Sequence, residues 1–415
     1  MLKLMKTFTS IINGDRLNLS INELAQIGQL PNGGVKRIAY SPEDILARQL
    51  IQKWMVEAGM TVRVDAAGNM IGTYSGKVKG APALVTGSHI DTVPSGGRYD
   101  GTVGVLAGIE VARVLQENSI QLAHPFEVVV FTDEESSMIG CKAIAGTYNH
   151  DPEFYRRSDG TSIQKSLEAI GGNWEKLATA KRSKADIAAF VELHVEQGGV
   201  LETIGKEIGV VQGIVSQTRY TIAITGRPNH AGTTPMTMRR DALVAAAQII
   251  LAVNNLATQT PGDQVATVGS LNVWPNAANI VPGRVDTSLD IRDLSLSHVD
   301  NLVEQLQQQL IAIATTTQTE IKMTPTLRVE GTLAAPQIQD IIVQTCQQLG
   351  LTYDHLPSRA SHDAQEMGKI TDMGMIFVPS SAGISHSEEE YTSPEQCTQG
   401  TQVLFNTLLQ LDALY

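Results

Sequence analysis

The chain has 415 residues, enough for two or three domains of ordinary size. With 42% hydrophobic and 18% charged residues it reads as a folded protein, not a disordered one. A formal net charge of -12 argues against a phosphate-binding surface, so no nucleic-acid partner is expected.

The three cysteines, Cys141, Cys346 and Cys397, are too few and too scattered for a disulfide framework or a thiolate zinc site. The opening MLKLMKTFTSIING lacks the apolar core and small-residue cleavage site of a signal peptide. No run of ~18 uninterrupted apolar residues occurs, so no membrane span is expected. These features together point to a cytoplasmic protein.

In chain order, Ser41-Pro42-Glu43-Asp44 opens a helix, with Ser as cap and Pro at the first helical position, that stops at Gly59. Runs 83–90, 126–134 and 187–195 are apolar with little alternation, as strands buried on both faces are. A helical pattern, GVLAGIEVARVLQE, separates the first two, which gives α/β with a mostly parallel sheet. Residues 213–329 read differently. Strand 218–226, helix 239–256, strands 266–274 and 283–293, helix 298–314 and strand 320–329 follow the β-α-β-β-α-β order of a ferredoxin-like domain, inserted into the first. The chain then returns to α/β, with a helix after Pro336, a strand at 374–380 and a helix capped at Ser393-Pro394-Glu395.

Four clusters at predicted strand ends carry the chemistry, where ligands of open α/β sheets bind. The first is Ser88-His89-Ile90-Asp91 followed by GGRYDG. On an extended segment His89 and Asp91 share a side, so Asp91 can accept the second ring N–H of a metal-bound His89. Asp100, in a Gly-rich turn, could bridge two cations. The second is Thr132-Asp133-Glu134-Glu135-Ser136. Adjacent carboxylates repel unless a cation or proton compensates, and neighbours on an extended strand point apart. One can therefore ligate while the other acts as general base. The third is Glu192-Leu193-His194-Val195-Glu196-Gln197, and the fourth is Ile384-Ser385-His386. Each cluster alone also fits a solvated turn or a satisfied histidine. Jointly, His89, Asp100, Glu135, His194 and His386 form a nitrogen and carboxylate set fit for Zn, Mn, Co or Ni.

These clusters, in this order, resemble the ureidohydrolase branch of the M20 metallopeptidase-like amidohydrolases, which includes N-carbamoyl-L-amino acid hydrolases, allantoate amidohydrolases and β-ureidopropionases. The resemblance runs from GSHIDTV through GGRYDG, FTDEES, ELHVEQG, NHAGTTPM, NIVPGRV, LDIRD and SHDAQ to GISHS. It implies a metal-binding catalytic domain (1–212 and 330–415) and a lid and dimerisation domain (213–329). It implies two divalent ions held by His89, Asp100, Glu135, His194 and His386, with Asp100 bridging and Glu134 as base. His194 is the diagnostic position, because related aminoacylases and peptidases carry a carboxylate there. His230 of the inserted domain would stabilise the oxyanion, in its own or its partner's active site. Gln197, Asn279, Arg292 and His362 match substrate contacts, although Arg292 also fits a salt bridge with Asp290 or Asp293. The implied reaction cleaves the carbamoyl group from a small carboxylic acid, most simply an N-carbamoyl-L-amino acid. Allantoate or N-carbamoyl-β-alanine as substrate, an aminoacylase or dipeptidase, and a catalytically inactive binding protein on the same scaffold are the alternatives. The chain departs from the pattern at Arg359, where relatives carry a small glycine, and this bears on specificity.

Overall fold

The computed structural model describes residues 11–415. Most of the opening segment read above, residues 1–10, lies outside them. The chain forms two compact units, one of residues up to Gly213 together with Leu333–Tyr415, the other Ile214–Thr332.

The first unit is built on a nine-stranded sheet. Its centre is a run of neighbours: Phe126–Phe131, Ala83–His89, Ile187–Val195 and Asp372–Val378, paired in parallel. The hairpin Thr61–Val64 and Met70–Tyr74 extends one side antiparallel, and Ile208–Ile214 pairs antiparallel with Asp372–Val378 on the other. Every residue of Ala83–His89, Phe126–Phe131 and Ile187–Val195 is buried, which is why these runs show no alternation. Helices Pro42–Glu57, Thr102–Glu117, Pro336–Leu349 and Pro394–Leu414 pack around the sheet through residues such as Ile51, Val105, Ile342 and Leu404. Ser41 caps the first, accepting from the Asp44 N–H. Ser393 and Gln396 form a capping box on the last.

The strand expected at 126–134 ends at Phe131. Asp133 takes a left-handed φ of 58°, and its carbonyl accepts the N–H groups of Ser137 and Met138, so the acidic run sits in a turn.

The second unit is a sheet in the order Leu271–Trp274, Arg284–Asp293, Ser216–Thr225, Glu320–Val329, all antiparallel, with helices Ala242–Gln259 and Leu296–Thr317 packed on it. This is the ferredoxin-like order expected from the sequence. The strand expected at 266–274 is broken into Val265–Thr267 and Leu271–Trp274. Helix Ala242–Gln259 is long and apolar enough to cross a membrane by length and composition. Its face of Ala245, Ala246, Ile249, Val253 and Leu256 is buried in the core of this unit instead.

Candidate active site

The parallel strands end side by side, and their carboxyl ends deliver one cluster. His89 is the last residue of its strand. The acidic turn follows Phe131, which pairs with His89. His194 lies one residue before the end of Ile187–Val195, and the loop after Val378 carries His386. His89, Asp100 and His194 place ligand atoms within 4.8 Å of one another, and so do Asp100, Glu135 and His386. Asp100 belongs to both groups and faces each with a different oxygen. Its Oδ1 lies 3.6 Å from His89 Nε2 and 3.2 Å from His194 Nε2. Its Oδ2 lies 3.3 Å from His386 Nε2, which is 3.6 Å from Glu135 Oε2.

Two histidines are oriented by their other ring nitrogen. His89 Nδ1 sits 2.9 Å from the Asp91 carbonyl and His194 Nδ1 2.9 Å from the Val195 carbonyl. Carbonyls only accept, so each Nδ1 carries a proton, which leaves Nε2 as the nitrogen that faces Asp100 and that could ligate a cation once deprotonated. The partner of His89 is thus the main chain of Asp91, not its carboxylate, which is 3.9 Å away. The strand ends at His89, so the two-residue alternation behind that expectation does not continue to Asp91. The Asp91 carboxylate instead accepts the Glu135 N–H at 3.2 Å, which steadies the acidic turn.

That turn also alters how Glu134 and Glu135 diverge. They do not alternate along an extended strand. The left-handed Asp133 redirects the chain, sending Glu134 to within 3.6 Å of His89 Nε2 and Glu135 toward His386. Gly101, at φ 65°, closes the neighbouring turn against the His89 ring; a Cβ there would lie 2.5 Å from it.

The cluster's charges are balanced by protons. Burial lifts Glu135 to about 7 and Glu134 well above the usual carboxylate range, with Asp363 and other acids adding and His89 opposing. Burial works against charge on His89 and His194, yet the surrounding carboxylates outweigh it and raise both. His386 is raised chiefly by its hydrogen bond to Asp100. A cluster of carboxylates and imidazoles, buried except at Glu135 and the half-exposed His386, is a fit host for cations, and its donors, all nitrogen and oxygen, match borderline divalent metals.

Gln197 and His362 border this cluster. Gln197 Nε2 donates to Asp100 Oδ2 at 2.8 Å, and its buried Oε1 has no partner. The His362 ring stands edge-on to His194 at 4.4 Å. Its Nε2 donates to Ser358 Oγ, whose own proton goes to the Ala360 carbonyl. Burial, with His194 beside it, holds His362 well below its ordinary value, so it is neutral.

The other predicted residues lie in the second unit. Asn229–His230 pairs with Ile280–Val281, and the Asn279 carbonyl accepts the Ala231 N–H, so His230 and Asn279 are neighbours. His230 Nδ1 accepts from Gly232 N and Thr233 N, which leaves its Nε2–H as an exposed donor. Arg292 is at the far end of strand Arg284–Asp293, roughly 26 Å from Arg284 at ~3.3 Å per residue. It forms the salt bridge with Asp290, at 2.9 Å.

Arg37 and Glu390 escaped the sequence reading, and Glu192 was named there without a role. Arg37 is fully buried; it donates to the carbonyls of Ile90, Leu24 and Ile27 and so clamps the His89–Thr92 loop. Glu192 ties its own strand to Ala83–His89 and to the helix Asp363–Met367 by accepting from Ser88 Oγ and the Ala364 N–H. Glu390 is buried beside Asp100. A charged residue flanked by apolar or strand-like sequence was the available signal for Arg37.

The profile of peptidase family M20/M25/M40 matches residues 85–410, which contain every member of this cluster. The chain belongs to that family. An N-carbamoyl-L-amino acid amidohydrolase of Geobacillus stearothermophilus is 38% identical over 97% of this chain and 99% of its own length. An allantoate amidohydrolase of Bacillus subtilis is 35% identical over 94% and 96%. A solved amidase of the hydantoinase/carbamoylase family from Burkholderia multivorans superposes with a TM-score of 0.91 at 35% identity, covering 97% and 98%. As an M20 member the chain is expected to depend on metal, and the two ligand groups that share Asp100, with a third of Glu192, His194 and His362 beside them, accord with that.

Proposed function

We propose that this chain is a two-metal amidohydrolase that cleaves the ureido C–N bond of a small carboxylic acid, an N-carbamoyl-L-amino acid in the first instance. The observation that carries the reading is Asp100 shared between two ligand groups, one of them including His194, with Glu134 3.6 Å from His89 Nε2 and outside either. Relatives named for N-carbamoyl amino acids and for allantoate support the ureido class. Two divalent ions, Zn, Mn, Co or Ni, held by His89, Asp100, Glu135, His194 and His386 would acidify water and polarise the scissile carbonyl.

Glu134 takes the proton of the attacking water as its oxygen bonds to the carbamoyl carbon. His230 Nε2–H donates to the oxyanion, a contribution commonly worth ~2.7–4 kcal/mol. Glu134 returns the proton to the departing nitrogen as the C–N bond breaks. The products are the amino acid and carbamate, which decays to carbon dioxide and ammonia. Gln197 and His362, beside the cluster, are assigned substrate contacts, as are Asn279 and Arg292, the last exchanging Asp290 for the substrate carboxylate in a bidentate pair.

Ammonia release across N-carbamoyl-L-amino acids, N-carbamoyl-β-alanine and allantoate, against N-acetyl amino acids and dipeptides, tests the class. Turnover confined to the N-acetyl compounds or dipeptides would sink the ureido assignment. The three cysteines are free and buried, which fits a reducing, cytoplasmic setting.

Residues 213–329 act, on this reading, as lid and dimerisation domain. His230 and Arg292 stand at opposite ends of the Arg284–Asp293 strand, too far apart to grip one small substrate from a single copy. We infer a homodimer in which each site draws on both subunits. The exposed Leu271 and Trp274 on an edge strand of this unit offer a pairing surface. Mixing inactive His230→Ala and Arg292→Ala chains is expected to restore activity at about a quarter of the sites after random exchange. Mixtures as inactive as their components would refute the shared site.

A further inference from the structure

Glu390 has no part in the chemistry above, yet its carboxylate is buried at the back of the centre. It closes the run Ser387-Glu388-Glu389-Glu390, whose other two acids are exposed. Glu390 Oε1 accepts the backbone N–H groups of Tyr99 at 2.9 Å and Asp100 at 3.0 Å. Its Oε2 accepts from Ser385 Oγ at 3.0 Å, and that hydroxyl also lies 3.3 Å from Asp100 Oδ2. Space for it is made by Gly97, where a Cβ would sit 2.2 Å from Glu390 Oε1. Tyr391 packs edge-on against Tyr99 at 5.9 Å, which pins the same two segments one residue further on.

Burying a third carboxylate beside Asp100 and Glu135 is unfavourable unless its oxygens are well used. Here each oxygen grips a different loop. One holds the turn that aims Asp100, and the other holds the residue before His386. We propose that Glu390 is a positioning residue that fixes Asp100 and His386 relative to one another, and so sets the geometry of the group formed by Asp100, Glu135 and His386. The proposal rests on the two-metal reading. The group of His89, Asp100 and His194 shares Asp100, but both its histidines are oriented by main-chain carbonyls, so the loss of Glu390 bears most on the second group.

The test uses cobalt(II) alone, titrated into the metal-free full-length chain and followed by visible absorption and bound stoichiometry. Wild type is expected to take up two ions. Glu390→Ala is expected to weaken one of them about 10- to 100-fold, the range for loss of a ligand's outer partner, and to alter its absorption bands. Glu390→Gln keeps an acceptor for Tyr99 and Asp100 and can donate to Ser385 Oγ, so it is expected to restore both affinities. Ser385→Ala cuts one arm only and is expected to weaken the same ion, even if Glu390→Ala does not fold. A wild type that binds no cobalt would overturn the metal reading itself. A wild type with two ions, but with Ser385→Ala and every folded Glu390 variant binding both at wild-type affinity, would overturn the role of Glu390 alone. Glu390→Gln as weak as Glu390→Ala would also overturn it, by showing that charge and not hydrogen bonding is what matters.

Discussion

Glu134→Gln is expected to keep both cations, leave KM within a few-fold, and lower kcat by ~10²–10⁴-fold, the usual contribution of a general base. The substitution is nearly isosteric and removes only the ability to hold a proton. Glu134 belongs to neither ligand group, so metal content should survive the change. Its setting has the direction a transient proton carrier needs. Burial lifts the carboxyl well above its ordinary range, with His89 opposing the shift. Steady-state kinetics together with elemental analysis of the same preparation read both halves. Near-normal turnover with two metals bound would show that another group takes the proton.

Asp100→Ala should do the opposite and empty the centre. Each Asp100 oxygen faces a different ligand group, so removing the side chain takes one ligand from both sites and the link between them. Bound metal is expected to fall from two per chain to near zero, and activity with it. Burial opposes charge on Asp100, but hydrogen bonds from His194, His386 and His89 outweigh it and hold its carboxyl well below the usual range. The carboxylate is therefore ionised and available to cations. A variant that still binds two ions tightly would mean that Asp100 does not bridge. The pair of substitutions separates the two ideas, since one keeps metal without turnover and the other keeps neither.

Central strands were plain in the sequence because burial on both faces leaves an uninterrupted apolar run, as in ALVTGSH and IAAFVELHV. The edge hairpin Thr61–Val64 with Met70–Tyr74 was not. Its first strand is mostly exposed and, at four residues, too short for its alternation to stand out. The break at residues 268–270 was equally hidden, since Val268 continues the apolar pattern through the gap. Ligand types were legible because His and acidic residues at strand ends are few and stand out. Their aim was not. The left-handed turn at Asp133 and the choice of the Asp91 carbonyl over its carboxylate are backbone facts that residue identity does not encode. Glu390 was hidden among three consecutive acids, and only the fold distinguishes the buried one. Arg292 shows the reverse case. The plain salt bridge with Asp290 weighed from sequence is the one the structure shows, so a substrate carboxylate at Arg292 would have to compete with Asp290.

The order of strands at the sheet's centre has a consequence for how the protein is assembled. Neighbours in space are remote in sequence: His89 and the loop carrying His386 are brought together only when strand Asp372–Val378 docks against Ile187–Val195. Such pairing closes very large loops and belongs to the slow, late part of folding. Until it happens, acids that repel one another have no shared counter-ion, so the centre itself opposes the final step. A cation that binds the finished cluster and not the open chain would act as a latch on the completed topology. At a hundred times its dissociation constant it would add about 2.7 kcal/mol to the native state and nothing to its precursors.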